Sequence, residues 1–323
     1  ATRAGVVVLP PAPPVPQPPP GRPPLPQTTD PPPTPELLSL GQLLFFERRL
    51  GADGTTRCAA CHDPAHGYSG VDPRSQNALG KVNRRRTPSL YDVGWQTELG
   101  WDGRGGDRLR FVMGHATGQL GVSLDDSARN LQASPTYRAL FARAGDPSQA
   151  GHTAGGALLS FAVTRYSPDS PWDQQERGVA GAASPEAVAG YAIFNGKAQC
   201  AMCHPPPLYT DLAYHRLGLV ATSDDGRGVV DPAAARAFKT PGLRGAALRV
   251  RFFHDGSAAS LEAAIDWHLA GGTGQGAAPA DIDPALPPIH LTPEERGALI
   301  AFVRALSAPP VPVVPPTLPE DVP

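Results

Sequence analysis

Two short segments carry most of the chemistry in this 323-residue chain: Cys58-Ala-Ala-Cys61-His62 and Cys200-Ala-Met-Cys203-His204. They use all four cysteines that the chain has. Disulfides, a redox dithiol, a structural zinc and inert buried thiols are the competing uses of cysteine. A zinc site made of two Cys pairs ordinarily keeps the pairs within a few tens of residues; these lie far apart, and each is followed at once by histidine. A c-type haem needs this set: two thiols to form thioethers with the vinyl groups on one porphyrin edge, and an imidazole reaching the iron from the same side. The motifs therefore imply two covalently bound haem c groups, one on Cys58 and Cys61 with His62 on its iron, the other on Cys200 and Cys203 with His204. Bacteria attach such haems outside the cytoplasmic membrane, so the expected location is periplasmic, with any signal peptide lying outside this numbering.

The sixth position of each iron separates an electron carrier from an enzyme, because iron with two strong protein ligands has no site for a substrate. Methionine cannot serve both irons. Met202 lies inside the second attachment loop, and only Met113 remains.

The elements that must position these groups are helical. Thr34-Pro35-Glu36 supplies an N-cap and a proline at the first helical position before Leu37, Leu38, Leu40, Leu43 and Leu44. Ser184-Pro185-Glu186 repeats the pattern and leads into Cys200. Thr292-Pro293-Glu294-Glu295 is a capping box that opens a C-terminal amphipathic helix through Leu306. Each half has a Gly-x-x-x-Phe element, Gly41 to Phe45 and Gly190 to Phe194, then a loop and its Cys-x-x-Cys-His, which reads as a duplicated module. The expected fold is all-α, two cytochrome c-like domains with long loops and little strand, at residues 36–175 and 176–308. Fifteen of the 40 prolines precede Glu36 and seven follow Ala308. Residues 1–35 and 309–323 are accordingly expected to be extended spacers outside the packed unit.

A net charge of -2 gives no concentrated basic face for nucleic acid or an anionic membrane. No apolar run approaches the roughly 18 residues of a membrane span.

Further segments resemble the bacterial di-haem cytochrome c peroxidase and MauG family from Glu36 to Ser307: Gly41-Gln-Leu-Leu-Phe-Phe, Arg86-Thr-Pro-Ser-Leu, Gly100-Trp-Asp-Gly-Arg104, Ser170-Pro-Trp-Asp173, Phe238-Lys-Thr-Pro-Gly-Leu-Arg244, and Phe253-His-Asp-Gly-Ser257 with Ser260-Leu-Glu262. The resemblance implies that the N-terminal haem reacts with hydrogen peroxide and that the C-terminal haem relays electrons, with Trp101 between them. It places the second haem's further axial ligand at His268, where peroxidases of the family usually carry methionine and MauG carries tyrosine. Two imidazoles favour oxidised iron. That leans to the MauG side, the methanobactin-associated proteins being one context.

Three departures matter. The displaceable histidine that reductively activated members carry before Arg-x-Thr-Pro is missing from residues 67–86, and His66 is too near His62 to replace it, so the first haem is expected to be five-coordinate. Arg86, Arg249 and Arg251 stand where the family usually places calcium; they imply no calcium and a pairing with haem propionates. Finally, no carboxylate lies between Leu109 and Leu124, which leaves His115 and Gln119 as stand-ins for the family's distal glutamate.

The function this implies is a peroxide-driven oxidoreductase that forms a high-valent two-haem state and oxidises aromatic side chains of a periplasmic protein partner. The alternatives are a peroxidase that detoxifies hydrogen peroxide with a small electron donor, and a non-enzymatic di-haem electron-transfer cytochrome.

Overall fold

The computed structural model describes residues 9–28, 30–220, 223–309 and 312–319. Among the described residues ten α-helices run in chain order: α1 (Pro35–Phe46), α2 (Cys58–Cys61), α3 (Arg108–Leu120), α4 (Leu124–Leu131), α5 (Pro135–Ala144), α6 (Ala150–Val163), α7 (Pro171–Glu176), α8 (Pro185–Asn195), α9 (Leu261–Leu269) and α10 (Pro293–Ala305). Among the described residues the only ladder is β1 (Tyr214–His215) antiparallel to β2 (Phe238–Lys239), with Tyr214 opposite Lys239. The all-α expectation holds.

The predicted caps form. The Thr34 hydroxyl accepts from the Leu37 N–H and the Ser184 hydroxyl from Ala187, while Thr292 and Glu295 exchange both bonds of a capping box.

The duplication extends to atomic detail. A Cβ on Gly41 would fall on the Ala157 carbonyl oxygen and meet Phe161; a Cβ on Gly190 would fall on the Ala298 carbonyl oxygen and meet Phe302. Glycine thus lets α1 cross α6, and α8 cross α10, backbone against backbone. Four residues on from each glycine, Phe45 packs on Phe161 with ring centres 4.7 Å apart, and Phe194 packs on Phe302 at 4.9 Å. Two separate cores result, one around Leu40, Leu44 and Phe161, the other around Phe194, Leu299 and Phe302.

Two boundaries differ from the sequence reading. Trp172, inside the expected 36–175 domain, packs in the second core against Tyr191 and Phe302. α7 therefore packs with the second core. The proline-rich ends are also bound to the body. Arg22 pairs with Asp173 at 2.9 Å with its side chain almost fully buried, Trp95 Nε1 donates to the Pro23 carbonyl, and Asp30 pairs with Arg108 at 2.6 Å. Leu9 and Leu318 pack against the first core. Buried cationic and indole partners make the ends part of the fold, something proline content alone cannot reveal.

Candidate haem sites

Each Cys-x-x-Cys-His motif opens onto a cavity. His62 follows the short helix α2, and its Nδ1–H donates to the Tyr68 carbonyl at 3.1 Å. His204 does the same to the Tyr209 carbonyl at 3.0 Å. Both tyrosines have a positive φ, 54° and 55°, which turns the carbonyl back onto the imidazole. A carbonyl can only accept, so each Nδ1 carries the proton and each Nε2 keeps its lone pair for a metal. Burial, with His115 across the cavity next, pulls His62 down to about 4; burial does the same for His204. Both rings are therefore neutral near pH 7. Burial also pushes the Cys58 and Cys200 thiols up to about 12. None of the four cysteines is in a disulfide.

Of the predicted groups, His268 lies on α9 and lines the second cavity with His204. Its Nδ1 is tied to the Ala264 carbonyl at 2.7 Å, leaving Nε2 available. His115 and Gln119 lie on α3 and line the first cavity with His62. Their situations differ. Gln119 exchanges two hydrogen bonds with Asn83, 2.9 and 3.1 Å, and so ties α3 to the loop before Arg86. The His115 ring stacks on Phe111, one turn earlier, with ring centres 5.9 Å apart. His66 is held by Asp63 at 2.8 Å and lines neither cavity. Met113 packs against the first core, and Met202 is exposed.

Trp101 lines both cavities and is 8% exposed. Its Nε1 donates to the Arg86 carbonyl at 2.8 Å. Beside it the seam between the halves is cationic. Arg86 and Arg249 are buried, and Arg86 Nη1 and Arg249 Nε have no hydrogen-bond partner among the described residues. Burial first, then the neighbouring Arg249, pulls Arg86 down to about 9, and burial pulls Arg249 down to about 10. Unpaired buried guanidinium is costly, so the seam calls for anions. Haem propionates are anions of the right kind, and the orphaned nitrogens, with His62, His204 and His268 lining the cavities with Nδ1 already hydrogen-bonded, fit a haem in each cavity. Arg251, by contrast, lines neither cavity.

Sequence reasoning missed several residues. Tyr68 and Tyr209 could have been found from their like spacing after each motif. Arg85, which joins Asp102 at 2.6 Å to Asp224 at 2.7 Å across the halves, left no local signal. His254 lies in the Phe253-His-Asp-Gly segment that carried the resemblance, but nothing local signalled its burial, its stacking on Phe238 at 3.5 Å or an Nε2 without a partner among the described residues.

The family model for di-haem cytochrome c peroxidase matches residues 35–180. The methylamine utilization protein MauG of Methylorubrum extorquens is 35% identical over 296 residues, 88% of this chain and 82% of that one. The cytochrome-c peroxidase IdrP2 of Denitromonas iodatirespirans is 30% identical over 88% of this chain and 85% of its own. Among solved structures, a MauG-like protein associated with microbial copper homeostasis superposes with a TM-score of 0.73 at 26% identity, over 90% of this chain and 93% of that one.

Proposed function

From the premise that this chain belongs to the di-haem cytochrome c peroxidase and MauG family, we propose that it uses hydrogen peroxide to oxidise a protein partner in the periplasm. The family makes it a di-haem oxidoreductase. The observation that carries the finer reading is Trp101, which walls both cavities at once. When bound, the haems supply two iron centres that together can hold the two oxidising equivalents of one peroxide.

The chain's own residues do the rest. His62 and His204, each fixed by a tyrosine carbonyl, would hold the irons, and His268 would complete the second. Arg86 and Arg249 would neutralise propionates. His115, with no hydrogen bond on either ring nitrogen among the described residues, is placed to take or return a proton at a molecule bound above His62. Trp101 divides the path between the two cavities into two shorter steps. His268 favours oxidised iron, which suits storage of an oxidising equivalent over fast turnover of a small donor. The two buried guanidiniums, each with one nitrogen left without a partner among the described residues, make the seam hostile to a divalent cation, so calcium has no part in this reading.

One equivalent of peroxide added to the diferric protein should give a spectral change at both haems that persists for seconds or longer without donor. A change at neither haem would reduce the protein to an electron carrier. Rapid decay, with stoichiometric oxidation of a small cytochrome or cupredoxin, would make it a detoxifying peroxidase.

A further inference from the structure

Among the described residues three tyrosines donate their hydroxyl to a glutamate, and the pairs differ in their surroundings. Tyr137 and Glu47 are both fully buried in the first half. Tyr209 is fully buried, and its bond to Glu176 is 3.2 Å long. Tyr214 is half-buried and donates to Glu98 Oε2 at 2.6 Å, and the Glu98 side chain is 36% exposed. This third pair combines a short path for a proton with a carboxylate that reaches water.

Tyr214 also lies against the turn that carries Trp101. A Cβ on Gly103 would fall on the Tyr214 hydroxyl, so the bare glycine is what admits the ring. Tyr214 stands opposite Lys239 on the β1–β2 ladder, and the Lys239 N–H donates to the Trp101 carbonyl at 2.8 Å. Lys239 lines both cavities, as Trp101 does, and its Nζ donates to the Glu98 carbonyl. The tyrosine and its glutamate, one from each half, therefore sit on the seam beside the residue that walls both haem cavities.

Burial first, then the Glu98 hydrogen bond, holds the Tyr214 hydroxyl well above the usual phenol range, so it keeps its proton at rest. Arg227 lies over the ring, 4.4 Å from its centre, and its Nη1 reaches Glu98 at 2.9 Å. A cation there opposes removal of an electron from the ring while the phenol proton stays. Passing that proton to Glu98 lifts the penalty.

We infer that Tyr214 is a redox-active residue, which gives an electron to the oxidised haems and its hydroxyl proton to Glu98, and then recovers both as it oxidises a side chain of the protein partner. This rests on the proposed function and adds to it the residue that faces the partner. In the first step the tyrosine O–H bond breaks, a Glu98 O–H bond forms, and the haems are reduced by one electron. In the second the partner's side chain supplies one electron, Glu98 returns the proton, and the partner's own proton leaves to water. Two such cycles use both oxidising equivalents of one peroxide. A clasp that merely joined the halves would use the same hydrogen bonds and form no radical.

The test mixes the diferric two-haem protein with one equivalent of hydrogen peroxide, follows the haems by absorption, and freezes samples for electron paramagnetic resonance. Wild type should give a free-radical signal that narrows when the protein is made with ring-deuterated tyrosine. Tyr214→Phe keeps the ring under Arg227, and Glu98→Gln keeps the shape but is too weak a base for the proton. Both should hold two haems by pyridine haemochrome and keep the haem spectral change, while the tyrosine signal is lost. A haem change with no tyrosine signal in wild type, or a signal that survives either substitution, would overturn the inference alone. No haem change with peroxide would sink the peroxide reading, and the inference with it.

Discussion

The two haem cradles are copies on one side and strangers on the other. On the proximal side they agree in the glycine crossing, the phenylalanine four residues later, the Cys-x-x-Cys-His and the tyrosine carbonyl on Nδ1. On the distal side one has His268 on the nine-residue α9, hydrogen-bonded to Ala264, and the other has His115 on the thirteen-residue α3, stacked on Phe111 with no hydrogen bond to its ring among the described residues. Duplication preserved what holds an iron. The halves differ on the distal side, where His115 and His268 line the two cavities from unlike helices.

Trp101 lines both cavities, and on the proposed function its removal should have the largest effect. Trp101→Phe should keep two haems by pyridine haemochrome and still consume peroxide, while the shared two-haem oxidised state disappears in stopped-flow spectra. Wild-type yield and lifetime of that state would show that the halves communicate by another route, with Trp95 the next residue to test.

Arg22 tests whether the second half depends on the chain's first residues. Arg22→Ala removes one partner of a buried ion pair and should lower the unfolding free energy by about 3 kcal/mol, the low end for such pairs because Arg244 still faces Asp173 at 2.7 Å. The same cluster sets an acid limit. Burial alone would raise the Asp173 carboxyl, but the Arg22 hydrogen bond, the Arg244 charge and the Ser170 N–H outweigh it and hold it well below the usual carboxylate range. A depressed carboxyl stabilises the fold fully above its unfolded value near 4 and loses that contribution as pH falls toward the folded value. Denaturant titrations from pH 6 down to 3 should therefore show stability falling more steeply in wild type than in Arg22→Ala. Parallel curves would remove Asp173 from the account.

Gly41→Ala and Gly190→Ala sharpen the likeness of the proximal sides. Each forces a methyl onto a carbonyl of the crossing helix, and each should cost about 1–3 kcal/mol by thermal or denaturant unfolding. A cost at one crossing only would mean that the duplication is decorative at the other. The smallest expected effect is at the seam: chelator treatment should leave two irons per chain, no stoichiometric calcium and unchanged peroxide reactivity. Activity lost on chelation and regained with calcium would show that the arginines do not take a cation's place.

The proximal half of each site was readable from sequence because it is local: a five-residue motif, a capped helix and a glycine spacing all lie within short windows. Family resemblance placed Trp101 in the wall that both cavities share and His268 in the cavity of His204. It also drew Arg251 toward a site that it does not line. What stayed hidden depends on long-range approach. The position of His115 opposite His62 is set by how α3 packs on α6, and Arg22 meets Asp173 across 151 residues of chain. Neither has a periodicity or spacing to find.

The docked stretches 9–28 and 30–34 bear on the entropy of assembly. Docking an extended segment costs about 1–2 kcal/mol of backbone conformational freedom per residue, which a few anchors could not repay for a flexible chain. Proline has already lost much of that freedom, because its ring fixes φ in the unfolded state as well as the folded one. A segment this rich in proline arrives nearly straight. Arg22, Asp30 and the Pro23 carbonyl then suffice to lay it along the body, since most of its ordering was completed when the peptide bonds were made.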